Sequence, residues 1–103
     1  MNNLVQDKMS DLAEICRGRQ VHRLALFGSA ARGLFDSPSS DLDFLVEFEQ
    51  LTPARRADCY FGLLEDLERL FGRPIDLVEP GPIHNPYFRQ TIKETQVVVY
   101  AAP

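Results

Sequence analysis

Hydrophobic residues fall into stretches with two different spacings along the chain. Some recur every three or four residues, as in an amphipathic helix, and others alternate with polar residues or form short apolar runs, as in strands. Residues 28–40 are rich in Gly, Ser and Pro and are predicted to form a structured loop, with one or two helical turns over residues 30–34. The pattern predicts helices over residues 4–17, 53–71 and 86–94 and strands over residues 21–27, 41–48, 75–78 and 97–100.

The ends of the predicted helices carry typical capping residues. Thr52 and Asn85 can each accept a hydrogen bond from the first turn, and each is followed by a proline, which is favoured at the first helical position. Gly18 and Gly72 follow the first and second long helical stretches, where glycine commonly terminates a helix. The start and the end of the long middle helix are therefore predicted both by the spacing of its hydrophobic residues and by its capping residues.

The predicted strand over residues 41–48 has two unlike sides. Successive side chains of a strand point to opposite faces of the sheet, so alternation along the sequence separates the two sides. One side is apolar and is expected to be buried, and the other is mostly polar. The apolar side holds Leu42, Phe44, Val46 and Phe48, and the other side holds Asp41, Asp43, Leu45 and Glu47. In the long helix, Phe61, Leu64 and Phe71 are expected to fill the core.

The order of the elements predicts the fold class. Strands that alternate with helices are typical of an α/β (α+β) fold, here a small mixed sheet of about four strands packed with helices. At 103 residues, with 45% hydrophobic and 25% charged residues, the chain has the composition of an ordinary globular protein. We therefore expect one folded domain over residues 1–103.

Charge and composition disfavour several classes of function. The formal net charge of −4 disfavours a protein that binds nucleic-acid phosphates, so no direct nucleic-acid partner is expected. No apolar stretch has the length of a membrane span and no leader pattern is present, so we expect a cytoplasmic protein with no membrane partner. Cys16 and Cys59 have no nearby Cys or His at ligand spacing and are expected to be reduced, buried packing residues.

Three aspartates form the first candidate functional group. Asp41 and Asp43 are two residues apart in a strand, so their side chains point to the same face and their Cα atoms are about 6.5 Å apart. Asp76 lies near the start of the next strand, and the long helix between the two strands is a typical crossover between parallel neighbours. Three carboxylates gathered on one face need a cation, and oxygen ligands suit Mg²⁺ or Mn²⁺. The three aspartates are therefore predicted to be metal ligands and catalytic residues.

The loop after the first strand supplies the second candidate group. Gly28 permits a tight turn and close approach of a phosphate, and Ser29 adds a hydroxyl donor. Arg32 can hold phosphate oxygens with its planar guanidinium, and Gly33 follows it. These four residues are predicted to bind nucleotide. Because the loop must meet Asp41 at the start of the second strand, the first two strands must run antiparallel.

Together these motifs resemble those of the DNA polymerase β-type nucleotidyltransferase superfamily. The matching positions are Gly28-Ser29, Arg32-Gly33, Ser40-Asp41-Leu42-Asp43 and Asp76. The short chain is most similar to the minimal nucleotidyltransferase (MNT) antitoxins, which pair with HEPN-domain toxins. The resemblance implies that Ser29 contacts phosphate, that Asp41 and Asp43 hold metal, and that Asp76 is both a metal ligand and the base toward the acceptor hydroxyl. Leu34 departs from the family, which often has an acidic or hydroxyl residue at that position.

The resemblance also implies an activity and a partner. MNT antitoxins of this kind transfer AMP from ATP to a tyrosine hydroxyl of the HEPN ribonuclease toxin, so a hetero-oligomer with that toxin is expected. A non-catalytic antitoxin that neutralises the toxin by binding alone is the main alternative. Nucleotidyl transfer to a small molecule such as an antibiotic ranks last, because the chain has no extra residues for an acceptor pocket.

Overall fold

The computed structural model describes residues 3–31, 41–81 and 84–103, apart from the side chains of Asn3, Ser29 and Ala30. Helices and strands alternate in the predicted order. The helices are α1 (Asn3–Gln6), α2 (Met9–Gly18), α3 (Gly28–Ala31), α4 (Pro53–Phe71) and α5 (Pro86–Thr95), and the strands are β1 (Val21–Phe27), β2 (Leu42–Phe48), β3 (Ile75–Val78) and β4 (Val97–Ala101).

The four strands form one mixed sheet in the order β3-β2-β1-β4. β1 pairs antiparallel with β2 on one side and with β4 on the other, whereas β2 and β3 are parallel neighbours. The mixed sheet, the antiparallel first pair and the parallel second pair are confirmed. This topology brings the end of β1 together with the starts of β2 and β3.

The long helix α4 connects the two parallel strands, and its predicted ends are confirmed. Thr52 Oγ1 accepts a hydrogen bond from the Arg55 backbone N–H at 3.3 Å, and Pro53 occupies the first helical position. At the other end, Gly72 has a φ of 63°, a left-handed conformation that glycine adopts at little cost. Asn85 caps α5 in the same manner as Thr52 caps α4, with Oδ1 accepting from Tyr87 at 2.9 Å.

The prediction of one continuous first helix is wrong, because this segment forms two helices, α1 and α2. Asp7 and Lys8 form a turn between α1 and α2, closed by a hydrogen bond from the Lys8 N–H to the Val5 carbonyl at 3.0 Å. The turn allows the Val5 side chain to become fully buried in the core. Gly18 is the last residue of α2, and the left-handed residue that follows is Gln20, with a φ of 57°.

One side of the sheet, here called the closed face, packs against α2 and α4. It is defined by Leu42, Phe44 and Val46 of β2, each with 0% exposure. α2 and α4 contribute fully buried side chains to the same cluster, which also contains Cys16 as a free thiol. Cys59 is also buried and free, so the expectation for both cysteines is confirmed. This closed face forms most of the hydrophobic core.

Phe61 does not belong to that core, so the expectation for this residue is wrong. Its side chain is 64% exposed, whereas Phe71 is buried and Leu64 packs at the edge of the main cluster. The reason is helical geometry. Phe61 lies two residues from both Cys59 and Leu63, which places it about 200° around the helix from the buried stripe.

The other side of the sheet, here called the open face, is defined by Asp43, Leu45 and Glu47 of β2. Helix α5 covers its centre, where Ile92 packs with Ala25, Phe27 and Leu45 in a small second cluster. Leu45 is therefore only 9% exposed, although it stands between two carboxylates in the sequence pattern. No helix within the described ranges is long and apolar enough to span a bilayer.

Candidate active site

Asp43 and Asp76 lie directly side by side on neighbouring strands. They are paired residues in the parallel register of β2 and β3, so their Cα atoms are about 4.8 Å apart. Both residues stand near the beginning of their strands, on the open face. The predicted meeting of Asp76 with the first acidic pair is borne out by this register for Asp43.

The electrostatics of Asp43 reflect this arrangement. The pKa of the Asp43 carboxyl is raised to about 6, mainly by burial and also by the negative charges of Asp76 and Asp41 and a hydrogen bond with Asp76. Asp41 and Asp76 are exposed and Asp43 is half-buried. Every contribution to the shift disfavours the charged form. In the absence of a cation, Asp43 therefore retains a proton more strongly than an ordinary carboxyl group.

Gly28 approaches the Asp43 carboxylate from the end of β1. The pairing of Phe27 with Asp43 places the first residue of α3 against the Asp43 side chain. A Cβ atom on residue 28 would lie 2.5 Å from Asp43 Oδ2, and Gly28 has a φ of 75°. Both the space and the backbone conformation therefore require glycine at this position.

The remaining predicted nucleotide-binding residues are only partly described. Ser29 lies in α3 immediately after Gly28, and its backbone is therefore next to the carboxylate pair. Arg32 and Gly33 lie outside the described residues, as does Leu34. The structure brings together Asp43, Asp76 and Gly28, with Asp41 close enough to act on Asp43 through its charge.

The oxygen ligands present suit a hard divalent cation, but the side chains do not form a closed chelating group. Among residues 3–31, 41–81 and 84–103, no three His, Cys, Asp or Glu side chains are gathered as metal ligands. Asp43 and Asp76 instead lie close enough for the Asp76 carboxyl to raise the pKa of Asp43, through its negative charge and through a side-chain hydrogen bond. A divalent cation would relieve the repulsion among Asp41, Asp43 and Asp76, and carboxylate oxygens are ligands that suit a hard cation such as Mg²⁺ or Mn²⁺.

The family follows from a match to most of the chain. Residues 9–99, which include Gly28, Asp41, Asp43 and Asp76, match the model of the nucleotidyltransferase domain. The chain belongs to the nucleotidyltransferase domain family. It is 35% identical to a candidate protein adenylyltransferase of Methanocaldococcus jannaschii, over 88% of this chain and 97% of that relative. The protein is therefore a nucleotidyltransferase enzyme.

Solved structures show the same nucleotidyltransferase fold. A toxin–antitoxin complex with AMP-PNP contains a chain with a TM-score of 0.67 at 18% identity, over 91% of this chain and 73% of that one. A complex of a tri-AMPylated HEPN toxin with its MNT antitoxin, from Shewanella oneidensis, gives a TM-score of 0.63 at 16% identity, over 95% of this chain and 73% of that one. These likenesses confirm the predicted fold class.

Two features beside the candidate active site are not evident from the sequence. Thr95, at the end of α5, accepts a long hydrogen bond from the Gly28 N–H at 3.5 Å and donates to the Thr91 carbonyl at 2.7 Å. Phe88 packs edge to face on Phe27, with ring centroids 5.9 Å apart. Both contacts join α5 to the end of β1, and no local pattern indicates where α5 crosses the sheet.

Proposed function

We propose that this nucleotidyltransferase is the antitoxin of a toxin–antitoxin pair and transfers AMP from ATP to a tyrosine hydroxyl of a HEPN-domain toxin. Residues 1–103 act in this proposal as a single minimal nucleotidyltransferase domain, in the cytoplasm and in complex with the toxin. The observation that carries it is the register of Asp43 with Asp76 beside Gly28, because it places acidic ligands against the turn predicted to bind phosphate.

The known proteins support the nucleotide and the acceptor class. The Methanocaldococcus relative bears the name of a protein adenylyltransferase, one toxin–antitoxin structure holds AMP-PNP, and another holds an AMPylated HEPN toxin. The 97% coverage of the archaeal relative favours the same kind of acceptor for this chain. ATP is accordingly the proposed substrate and Mg²⁺ or Mn²⁺ the proposed cofactor.

The reaction assigns a separate task to each group of residues. Asp41, Asp43 and Asp76 would hold the divalent cation, which would supply charge neutralisation for the triphosphate and for the leaving group. Gly28 and Ser29 bind phosphate oxygens, and Arg32 and Gly33 complete the loop. Asp76 accepts the phenolic proton as the tyrosine oxygen forms a bond to the α-phosphorus of ATP. The bond between the α-phosphorus and the bridging oxygen breaks, and pyrophosphate leaves.

The direct test is incubation of the protein with a HEPN-domain partner, ATP and Mg²⁺, followed by mass spectrometry of the partner. We expect an added AMP group on a tyrosine, and no addition when EDTA replaces Mg²⁺. An unmodified partner in an active, well-folded preparation would contradict the proposal.

The non-catalytic alternative gives the opposite result in a second measurement. Neutralisation of toxin ribonuclease activity is compared for the natural chain and for Asp41→Ala and Asp43→Ala. We expect neutralisation to require ATP and to be lost in both variants. Full neutralisation by either variant, without an AMP adduct, would establish an antitoxin that acts by binding alone.

A further inference from the structure

A cavity of about 180 Å³ lies on the open face, on the far side of α5 from Gly28. Its walls come from β1, β2, the segment after β3 and one flank of α5. Its lining includes Arg23, Leu45, Glu47, Arg89, Lys93 and Gln96. We call this cavity the α5 pocket.

The α5 pocket shares its floor with the nucleotidyltransferase site. Leu45 lines the pocket, and Asp43 is two residues earlier on the same face of β2. That spacing corresponds to about 6.5 Å along the strand. The pocket and the candidate active site therefore lie along the same face of β2, on either side of the point where Ile92 of α5 packs on Leu45.

The α5 pocket is positively charged although the whole chain is acidic. The Arg23 guanidinium is paired with Glu47 at 3.4 Å, so these two charges largely cancel. Arg89 and Lys93 lie one turn apart on α5, and neither side chain has a hydrogen bond or ion pair with any residue in the described ranges. The pocket thus presents two unpaired cations in a chain whose formal net charge is −4.

A further wall of the pocket presents an unused hydrogen-bond acceptor. Gln96 Oε1 is buried and accepts no hydrogen bond from the part of the chain that the structure describes. A buried acceptor without a donor costs free energy, so a ligand that supplies an N–H group would stabilise it. An anion alone, such as a phosphate ester, offers no such donor. A peptide with an acidic side chain offers both a carboxylate for Arg89 and Lys93 and backbone N–H groups for Gln96.

We propose that the α5 pocket binds an acidic segment of the protein acceptor and positions that protein for nucleotidyl transfer. The inference rests on the proposed function in that the acceptor is a protein. Electrostatic complementarity of this kind increases association rate and selects the partner, while the chemistry stays with the aspartates. Arg89 and Lys93 are therefore docking residues with no direct part in bond formation.

The first experiment tests the pocket without any transfer reaction. A fluorescein-labelled peptide of alternating Glu and Gly is titrated with the protein at low ionic strength, and its Gln-for-Glu twin serves as the matched peptide. We expect the Gln twin to bind about tenfold more weakly, and Lys93→Glu to weaken binding of the Glu peptide by about tenfold. Arg17→Glu makes an equal charge change at an exposed residue of α2, on the opposite side of the sheet, and should leave binding unchanged.

Several outcomes would overturn the inference. Equal binding of the two peptides, no binding of either, or an equal loss in Arg17→Glu would show that no specific acidic-peptide site exists. Displacement of the peptide by inorganic phosphate as readily as by unlabelled Glu peptide would assign the pocket to phosphate.

The second experiment measures transfer to the HEPN-domain partner. We expect Arg89→Glu and Lys93→Glu to raise KM for the partner about tenfold each, with kcat and ATP binding retained. An unchanged KM in both variants, with transfer intact, refutes the docking role. Absence of transfer by the natural chain, together with selective binding of the Glu peptide, would refute the proposed function and leave the acidic-peptide site standing.

Discussion

The closed and open faces of the sheet are built from the same strands but are covered very differently. On the closed face, α2 and α4 bury Leu42, Phe44 and Val46 completely. On the open face, α5 covers only the centre, and Asp43 and Glu47 at either side of Leu45 stay half-buried. The closed face thus supplies most of the buried apolar area, which is the main source of stability.

Incomplete cover on the open face is what permits chemistry there. Two carboxylates at neighbouring positions of β2 and β3 would be strongly unfavourable inside the closed face, where no water or cation could reach them. Partial exposure reduces that cost and leaves the Asp43 and Asp76 carboxylates accessible from solvent beside Gly28, where nucleotide binding is proposed. Separation of the two roles means that a substitution on one face should affect mainly stability and on the other mainly activity.

The largest expected effect is that of Asp43→Asn on nucleotidyl transfer. Loss of one negative ligand should slow metal-dependent AMP transfer on the order of 1,000-fold, equivalent to about 4 kcal/mol. The fold should be retained, because the substitution removes charge but little volume. Single-turnover transfer rates and far-UV circular dichroism measure the two effects.

The matched control for this variant is Glu47→Gln, which makes the same chemical change on the same face of β2. Glu47 pairs with Arg23 and lies at the other end of the strand from Gly28. Its transfer rate should fall less than about tenfold, because a partly exposed ion pair contributes little. An equal decrease in transfer rate in the two variants would contradict a specific role for Asp43, because any carboxylate on this face of β2 would then matter equally.

The next largest effect separates the two faces by stability. Leu63→Ala, in the main cluster of the closed face, should lower the free energy of unfolding by about 4 kcal/mol. Ile92→Ala removes the central contact of the small cluster under α5, with a cost of about 2 kcal/mol since the exposed helix can settle onto the smaller side chain. Both residues are almost fully buried, so the difference depends on their surroundings. Urea unfolding measures both, and an equal or larger cost for Ile92→Ala would contradict the comparison.

A smaller effect on stability is expected for substitution of Gly28, the glycine that contacts the Asp43 carboxylate. Gly28→Ala and Gly72→Ala both place an alanine at a positive φ, which costs about 1–2 kcal/mol in each case. Only the Cβ of residue 28 meets another group, the Asp43 carboxylate, whereas residue 72 has nothing within 4 Å. Gly28→Ala should therefore lose stability beyond Gly72→Ala and should also lose ATP-dependent transfer. Thermal unfolding and transfer assays on both variants separate backbone strain from the contact.

The sequence predicted the parts of this molecule that depend on local patterns. The bounds of β1, β3 and α4 and the meeting of Asp43 with Asp76 all follow from spacing, capping residues and the crossover rule. Phe61 was assigned to the wrong environment, and the cover of Leu45 by α5 was not predicted, because a pattern separates two sides of an element without specifying what covers each side. The turn at Asp7 and the position of Arg89 and Lys93 beside β2 depend on tertiary packing, so no local signal reveals them.

The smallest effect is a pH dependence of the metal-free protein. The pKa of Asp43 rises from 3.8 to about 6 on folding, mainly through burial, so the folded state binds more protons than the unfolded state between these values. Stability from this group is fully present below pH 3.8 and is lost as the pH rises through about 6. Asn has no ionisable carboxyl, so Asp43→Asn does not lose this stability. The free energy of unfolding of the variant, relative to that of the natural chain, should therefore increase between pH 3.8 and about 6 and stay constant at higher pH.

Thermal unfolding in EDTA across this pH interval measures the difference between the two proteins. Subsequent addition of Mg²⁺ at neutral pH should stabilise only the natural chain. A difference between the two proteins that does not change with pH would show that the open face leaves Asp43 as well solvated as any surface carboxylate.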